Sequence, residues 1–429
     1  MTRALPANGA GFADARCVRY YQEIRAGVPA TAGQIGYGVN RRAVPPVLVR
    51  QLTRLHTWLL GDRVTDYSRA GDAAVAALLA ELAGQYLGVP LAPEHVVECH
   101  GTTEAISVVL HHAAARGLRP VVPVPNYYAF DHSASRAGTP PPAHHRVDGA
   151  LDPLAPAPAA GGDLLVDVAP NGVLGTWFST PAVRPGLRLV DHVFALPSFQ
   201  SQAAVRAELG ARCGDLRESV VCLSPSKDLS VPGLRCGLVV TKDQGLLDFA
   251  AADRFERGYA VHGSVGPVVA THLAVLLLTA AVPARVPSVH AGLAARFAEA
   301  GIPFLTLAEA EEVRHWVART REAFLDVLAA YDQRGFLLPV AGAEEPVAGY
   351  STFRWLAADF ASPESFTAWV NSVGRHGLKL NPNGLFGGDE GVWSRLYPDR
   401  YGIRLNLSVD PDELRADLDL LAELLPRKW

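Results

Sequence analysis

A series of short apolar runs between residues 164 and 240 constrains the fold of this chain most strongly. Turn-forming residues bound each run, and helical patterns separate several of them. Apolar runs of this length are typical of strands buried on both faces of a parallel sheet. The sequence therefore predicts an α/β fold in which helices cover a mostly parallel sheet. The predicted strands are His95 to His100, Val121 to Val124, and then four buried parallel strands at Leu164 to Val168, Leu187 to Val190, Val220 to Leu223 and Leu238 to Val240.

The chain after residue 258 has a different pattern. Gly258 to Ala284 holds no charged residue, but its prolines, glycines and short apolar centre predict a buried helix and not a membrane span. A long helix is predicted from Glu309 to Tyr331, and Ser351 to Ala358 and Gly402 to Leu407 alternate like strands of a half-exposed sheet. The two alternating runs, which follow the long helix, predict a smaller α+β domain. The expected division is residues 1–60 for an N-terminal arm and part of the small domain, 61–310 for the large cofactor-binding domain, 311–334 for a connecting helix and 335–429 for the C-terminal small domain.

Charge and cysteine content argue against several classes of partner. The formal net charge is −4 over 429 residues and basic residues form no long cluster, so we expect no nucleic-acid partner. The five cysteines include no Cys-x-x-Cys pair, and residues 1–15 lack the apolar segment of a signal peptide, so we expect reduced thiols in the cytoplasm. Neither His111-His112, which would point apart on a helix, nor His144-His145 predicts a metal site.

One motif carries the chemistry. Ser224 to Gly237 reads Ser-Pro-Ser-Lys-Asp-Leu-Ser-Val-Pro-Gly-Leu-Arg-Cys-Gly and leads into a predicted strand. A lysine on a loop beside a strand can lose its proton and attack a carbonyl, so Lys227 can form a Schiff base with pyridoxal phosphate. Arg235 can hold that cofactor's phosphate through two parallel hydrogen bonds. The spacing Ser-x-Ser-Lys, then Pro-Gly-x-Arg-x-Gly, resembles the lysine signature of the fold-type I, class I/II aminotransferase superfamily, which adds Ser224 and Ser226 to the predicted cofactor site.

Three further positions offer what this cofactor requires, each near the end of a predicted strand. Gly101-Thr102-Thr103 can cradle the phosphate at the start of a helix, where free N–H groups attract an anion. Tyr127 can stack on the pyridine ring, with Tyr128 as the alternative. Asp191 can keep the ring nitrogen protonated, so that the ring accepts the electrons released at Cα. Each position also has a purely structural interpretation, as a strand–helix turn, core packing or a helix cap.

The resemblance implies further site residues and a dimer. Arg404, within Tyr401 to Ser408, resembles the C-terminal arginine that clamps the α-carboxylate of an amino-acid substrate. Tyr67 resembles the tyrosine that reaches the phosphate bound to the neighbouring subunit, which implies a homodimer with shared active sites. Tyr37 and Gly38 resemble the N-terminal turn that lines the substrate pocket.

The sequence departs from the family pattern at the cofactor's phenolic oxygen. The usual Asn-Pro-x-Gly motif is replaced by Pro-Asn-Gly-Val-Leu-Gly, so the asparagine that bonds this oxygen aligns with Gly172, and only a shifted alignment offers Asn171. Phe194 stands where the family usually has a tyrosine that donates to the same oxygen. The short connection from Asn171 to Asp191, and the residues that follow Asp191, are similar to the alliinase and tryptophan–pyruvate aminotransferase branch.

The resemblance implies a pyridoxal-phosphate-dependent aminotransferase that acts on an α-amino acid through an external aldimine and a quinonoid, with Lys227 and Asp191 as catalytic residues. A composition rich in Arg, Ala and Gly suggests a substrate of bacterial specialised metabolism. The alternative is a lyase that catalyses alliinase-like C–S β-elimination, or a decarboxylating or oxidative deaminase, because these reactions start from the same aldimine. A third hypothesis is an inactive ligand sensor or scaffold, against which the retained Lys227 argues.

Overall fold

The larger of two sheets has seven strands. The structure, a computed structural model, describes residues 16–29, 32–33, 35–36, 38–61, 72–257 and 263–426. The strands of this sheet are β1 (Val96–Cys99), β2 (Arg119–Pro123), β3 (Ala143–His145), β4 (Asp163–Val168), β5 (Pro185–His192), β6 (Ser219–Leu223) and β7 (Gly237–Thr241). Their order is β1-β7-β6-β5-β4-β2-β3, and β2 to β6 run parallel to one another. The predicted α/β fold with a mostly parallel sheet is confirmed.

The direction of β7 was predicted wrongly. It runs antiparallel to both of its neighbours, β1 and β6, whereas its apolar sequence predicted another parallel strand. The connection from β6 to β7 spans only residues 224–236 and holds no crossover helix. A parallel neighbour would need a crossover, usually a helix, that returns the chain to the opposite end of the sheet. Without such a crossover, β7 runs back alongside β6.

Helices pack on both faces of the seven-stranded sheet. Adjacent residues of β6 alternate between two apolar cores: Val221 lies in the same core as Leu79 and Leu273, and Val220 lies in the core that contains Ile106 and Phe130. The helices of the described residues are α1 (Arg16–Arg25), α2 (Pro46–Leu59), α3 (Ala73–Leu87), α4 (Thr102–Ala115), α5 (Ala129–Ala137), α6 (Gln202–Cys213), α7 (Pro225–Asp228), α8 (Gln244–Arg257), α9 (Val265–Ala280), α10 (Val286–Glu299), α11 (Leu307–Asp332), α12 (Pro363–Arg375), α13 (Glu390–Leu396) and α14 (Pro411–Leu424).

The uncharged segment forms α9, which is buried from Val265 to Leu278. Its burial agrees with the predicted core helix. Within the ranges that the structure describes, no helix combines the length and the apolar character needed to cross a membrane.

The smaller sheet has four antiparallel strands in the order β10-β11-β9-β8, which are β8 (Leu337–Pro339), β9 (Ser351–Leu356), β10 (Asn381–Pro382) and β11 (Gly402–Asn406). Every residue of β9 is buried, so the prediction of a half-exposed sheet was wrong. Phe353 packs against the rings of Phe386 and Trp393, while the next residue, Arg354, pairs with Asp332 at the end of α11. Successive side chains point to opposite faces of a strand, so both faces of β9 are covered.

The N-terminal segment packs against this second sheet. Gly33 forms a bridge with Leu378, and Ile24 and Ile35 lie in the same apolar core as Phe353. The division of the chain stays a prediction, and we propose the boundaries 1–60, 61–310, 311–334 and 335–429 for the arm, the large domain, the connecting helix and the small domain.

One edge of the large sheet gathers the chemically interesting loops. The carboxyl ends of the parallel strands β2, β4, β5 and β6 meet there. Because β7 is antiparallel, its first residue, Gly237, lies at the same edge beside Cys99, the last residue of β1. In open α/β sheets, ligands bind outside the carboxyl ends of the strands.

Candidate active site

Lys227 lies in the single helical turn that follows β6. The turn α7 is capped by Ser224, whose hydroxyl oxygen accepts from the N–H of Ser226 at 3.2 Å. The same hydroxyl lies 2.7 Å from the carbonyl oxygen of Cys236, to which it donates, and 2.7 Å from the hydroxyl of Ser226. These bonds tie the turn that carries Lys227 to the segment that carries Arg235. The two serines therefore shape the lysine loop, and their contact with a cofactor stays a prediction.

Asp191 lies near the end of β5, in the centre of the sheet, between Val168 of β4 and Cys222 of β6. Its side chain is buried, and its Oδ1 has no hydrogen-bond partner among the described residues. Burial raises the pKa of Asp191 to about 7, an effect that the positive charge of Lys227 partly offsets. A buried carboxylate is costly unless a cation or a donor pairs with it. The protonated ring nitrogen of pyridoxal phosphate is such a partner, so this carboxylate fits the cofactor.

Gly101, Arg235 and the start of α4 lie together in an arrangement suited to an anion. Gly101 caps α4 with φ +82°, and a Cβ built on it would lie 3.1 Å from Nη2 of Arg235. Arg235 is exposed, has φ +51°, and donates from Nη2 to the carbonyl oxygen of His100 at 3.4 Å. A helix N-terminus beside a guanidinium group attracts a phosphate dianion. Thr102, half-buried, and Thr103, exposed, lie in the first turn of α4, so this cradle fits the phosphate of the cofactor.

Tyr127 and Tyr128 lie in the segment between β2 and α5. Both rings are exposed and they meet edge to face, with centroids 4.8 Å apart. Their exposed rings offer a stacking face, and the choice between them stays a prediction. Asn171, after β4, holds the start of this segment, because its Nδ2 donates to the carbonyl oxygen of Pro125 at 2.9 Å.

The side chain of Asn171 is largely committed to the backbone. Its Oδ1 accepts from the N–H groups of Val173 and Leu174 at 2.9 and 3.0 Å. A bond from Asn171 to the cofactor's phenolic oxygen would use the remaining amide hydrogen, and it stays a prediction.

Phe194 and Gly172 are in direct contact. A Cβ built on Gly172 would lie 2.0 Å from Cε2 of Phe194, so any larger residue at position 172 would displace the ring. The Phe194 ring also packs against Tyr350, with centroids 5.6 Å apart. The two departures from the family pattern are therefore one packing arrangement, in which the glycine makes room for the phenylalanine.

Arg404 lies in the middle of β11, opposite Phe353 of β9. Its guanidinium group stands 5.5 Å from the ring centroid of Phe386, and a Cβ on Gly38 would lie 3.4 Å from its Nη2. Burial lowers the pKa of Arg404, and Tyr350 partly offsets this effect. An apolar, partly desolvated setting strengthens the bond from a guanidinium group to a carboxylate.

Two hydrogen bonds connect the segments around Arg404. The N–H of Asn126 donates to the carbonyl oxygen of Phe386 at 2.9 Å, which links the Tyr127 segment to the surroundings of Arg404. The hydroxyl of Tyr350 donates to the carbonyl oxygen of Gly38 at 3.0 Å. Tyr37 and Tyr67 lie outside the described residues, so their predicted roles have no structural description here.

Three residues of this region were missed by sequence reasoning. Tyr350 precedes β9 in a segment without a motif. Asp228 stands beside the predicted lysine, and its partner His272 lies in the uncharged helix α9. The sequence offered two signals for the contact between Asp228 and His272: an aspartate directly after Lys227 and a lone histidine in an apolar helix.

Comparison with known proteins identifies the family. Residues 32–310, more than half of the chain, match the family model described as aminotransferase class I and II. No curated protein matches the sequence.

Solved structures with the same fold are distant in sequence. An aspartate aminotransferase from Thermotoga maritima is 14% identical, with a TM-score of 0.64, 95% of this chain and 94% of that chain being covered. A multiple substrate aminotransferase from Thermococcus profundus is 13% identical, with a TM-score of 0.65 and coverages of 96% and 95%. A single mutant of the Thermus thermophilus aspartate aminotransferase is 15% identical, with a TM-score of 0.62 and coverages of 99% and 100%.

These likenesses confirm the predicted fold type I architecture. The chain belongs to the aminotransferase class I and II family, whose enzymes depend on pyridoxal phosphate.

Proposed function

We propose that this enzyme transfers the amino group of an α-amino acid to a 2-oxo acid, with Lys227 and Asp191 as its catalytic residues. One observation carries the proposal most. Asp191 is a buried carboxylate with one oxygen that has no hydrogen-bond partner among the described residues, and it lies close enough to Lys227 for the lysine charge to lower its pKa, at the sheet edge where Arg235 and the start of α4 can hold an anion. Bound pyridoxal phosphate would supply an electron sink that makes the Cα proton of an amino acid acidic.

The roles of the residues follow from their chemistry. Arg404 would hold the α-carboxylate of the substrate by paired hydrogen bonds and so fix the orientation of Cα. Lys227 would take the proton from Cα as general base and, as general acid, donate it to the cofactor carbon bonded to the transferred nitrogen. Asp191 would accept a hydrogen bond from the ring nitrogen and keep it protonated. Gly101, Thr102, Thr103 and Arg235 would hold the phosphate, and Tyr127 would cover the ring.

The substrate class and the assembly belong to the same proposal. We infer an amino acid of bacterial specialised metabolism from the composition of the chain, and a homodimer with shared active sites from the family motif around Tyr67. Tyr37 and Gly38 would line the substrate pocket, and the short distance from Gly38 to Arg404 supports this role.

Counting products tests the reaction. The loaded enzyme is incubated with single amino acids, and the 2-oxo acid and ammonia released are measured against the amount of protein. A transaminase releases about one equivalent of oxo acid and no ammonia, and it continues only when a second oxo acid is added. The Lys227→Ala variant is the matched control and should release neither product.

A lyase is the second candidate, and one packing feature favours it. Phe194 has no hydroxyl and Gly172 has no side chain, so neither position offers a donor to the phenolic oxygen of the cofactor, and only the remaining amide hydrogen of Asn171 could serve. The test uses substrates that carry a β leaving group. Continuous release of ammonia and pyruvate without an added oxo acid would show that the enzyme catalyses β-elimination and not transamination.

A further inference from the structure

Asp228, the residue after Lys227, has an environment unlike that of Asp191. It is 1% exposed, and its carboxylate accepts hydrogen bonds from three donors. Its Oδ1 accepts from the N–H groups of Ala195 and Leu196, both at 2.9 Å. Its Oδ2 lies 2.8 Å from Nε2 of His272, which must carry the shared hydrogen because an ionised carboxylate only accepts.

These bonds join three separate segments of the chain. Asp228 belongs to α7, the turn that carries Lys227. Ala195 and Leu196 belong to the loop that leaves β5 just after Asp191. His272 lies in the buried helix α9. Lys227 and Asp191 are therefore connected through one carboxylate, in addition to the hydrogen bonds between β5 and β6.

The surroundings of this pair are mostly apolar, with one polar contact nearby between Tyr86 and His192, whose hydroxyl oxygen and Nε2 are 2.8 Å apart. Leu196, Leu229 and Leu273 lie in the same core cluster, which also contains Tyr86. His272 is fully buried, and its Nδ1 has no hydrogen-bond partner within the described part of the chain. A buried carboxylate–imidazole pair contributes little stability compared with apolar packing of the same volume, but it can fix one arrangement among several. A role in position is thus better supported than a role in stability.

We propose that Asp228 and His272 form a positioning pair that holds Lys227 in a fixed orientation relative to Asp191. This inference rests on the proposed function of Lys227. Neither residue of the pair would touch substrate. Its effect would arise because a displacement of about 1 Å at a reacting group can reduce the rate about 10²-fold.

Three variants test the pair. Asp228→Asn keeps the shape and an oxygen acceptor but removes the charge. His272→Leu removes the donor, whereas His272→Gln keeps an N–H that can reach Asp228. Thr241→Val is the matched control, because Thr241 is also fully buried and its hydroxyl donates to the carbonyl oxygen of Ser219 at 2.8 Å, at the other end of β6.

Two readouts separate position from stability. For Asp228→Asn and His272→Leu we expect kcat to fall about 10-fold to 100-fold, with KM changed by less than about 3-fold. The visible circular dichroism of the bound cofactor, which reports how the protein holds it, should weaken in both variants. His272→Gln should regain most of the rate and signal, and Thr241→Val should leave both unchanged despite a lower unfolding midpoint.

Each outcome is decisive. Wild-type kcat and circular dichroism in Asp228→Asn and His272→Leu would overturn the positioning role, as would equal losses in Thr241→Val. If His272→Leu does not fold, wild-type kcat and circular dichroism in the folded Asp228→Asn variant overturn it equally. A separate experiment tests whether the cofactor is bound to Lys227. The wild type is reduced with borohydride and its peptides are analysed by mass spectrometry, and a cofactor attached elsewhere would contradict the proposed function itself.

Discussion

Two buried aspartates flank the chemistry of Lys227, and they differ in how their carboxylates are satisfied. Asp191 is 3% exposed and leaves Oδ1 without a partner among the described residues, and burial raises its pKa to about 7. Asp228 is equally buried, but backbone N–H groups and His272 satisfy both of its oxygens.

The difference indicates which of the two carboxylates is suited to bind a ligand. A folded protein rarely leaves a buried acceptor unpaired without a functional reason. Asp191 has the properties of a group that a bound cation completes, and Asp228 has those of a group that the protein has completed by itself. Depth of burial alone would not separate the two.

Replacement of Lys227, whose chemistry both aspartates are proposed to assist, should reduce activity more than any other change. Lys227→Ala removes both the nucleophile and the proton carrier, so we expect kcat to fall by about 10⁴-fold or more. Single-turnover kinetics with the best amino acid measure this loss. Lys242→Ala, just after β7, is the control and should keep normal activity. Equal activity in the two variants would remove Lys227 from the mechanism.

Replacement of each aspartate by asparagine tests the comparison directly. Asp191→Asn keeps the shape but removes the charge opposite the ring nitrogen, so we expect kcat to fall about 10²-fold to 10³-fold. The loss in Asp228→Asn should be smaller, because that side chain only positions its neighbour. Steady-state kcat of the two loaded variants provides the measurement, and a larger loss in Asp228→Asn would reverse the assignment.

The stability of the apoprotein should depend on pH through Asp191. Its folded-state pKa of about 7 exceeds the ordinary value of 3.8, so between these values the folded chain keeps a proton that the unfolded chain has released. The stability from this proton is fully present below about pH 4 and is lost as the pH rises to about 7. Asp191→Asn should therefore exceed the wild type in unfolding free energy at pH 8 by up to about 4 kcal/mol, and by less at pH 5.

Urea unfolding of the two apoproteins at both pH values measures this difference. An identical pH dependence in the wild type and the Asp191→Asn variant would show that Asp191 is already paired in the apoprotein, and the contrast with Asp228 would fail.

Substitution of Arg404, in the second sheet, tests substrate binding separately from proton transfer. Arg404→Lys keeps the charge but loses the paired hydrogen bonds to a carboxylate, which costs about 1.5–3 kcal/mol. We expect kcat/KM to fall about 10-fold to 100-fold, mainly through a higher KM. Arg415→Lys, on the exposed face of α14, should change neither constant. An unchanged KM in Arg404→Lys would place the substrate carboxylate elsewhere.

The smallest expected effect concerns the loop after β5, which follows Asp191 in the chain and hydrogen-bonds to Asp228. A methyl group at position 172 would overlap Phe194, which lies between Asp191 and Ala195 in the chain, so Gly172→Ala should destabilise the protein by about 1–3 kcal/mol. Gly292→Ala, at an exposed helical position with no neighbour within 4 Å, should instead be neutral or stabilising. Chemical denaturation compares them, and a neutral Gly172→Ala would mean that the Phe194 ring moves freely.

The sequence was informative where a pattern is local. Lys227 and Asp191 follow short apolar runs and Arg235 precedes one, and strand ends of this kind predict where loops meet in an α/β fold. The burial of β9 was predicted wrongly because it depends on what packs beside the strand and not on its own residues. The direction of β7 was predicted wrongly because an apolar run looks the same in either direction, and the connection from β6, which holds no crossover helix, decides it.

The pairing of Asp228 with His272 could not be predicted, since 44 positions separate them and each residue alone resembles an ordinary core or turn residue. The same limit applies to Tyr350, whose place between Phe194 and Arg404 depends on how the two sheets approach each other. Spacing within a motif carries information about chemistry, whereas contacts between distant segments require the fold.

A crystal structure of the wild-type enzyme with bound pyridoxal phosphate tests the central claim most directly. The account predicts continuous density from Lys227 to the cofactor and a phosphate held by Arg235 and the start of α4. The ring nitrogen should lie about 2.7–2.9 Å from Oδ1 of Asp191, and the bonds of Asp228 should be unchanged. A ring nitrogen turned away from Asp191, or a cofactor joined to another lysine, would contradict the account.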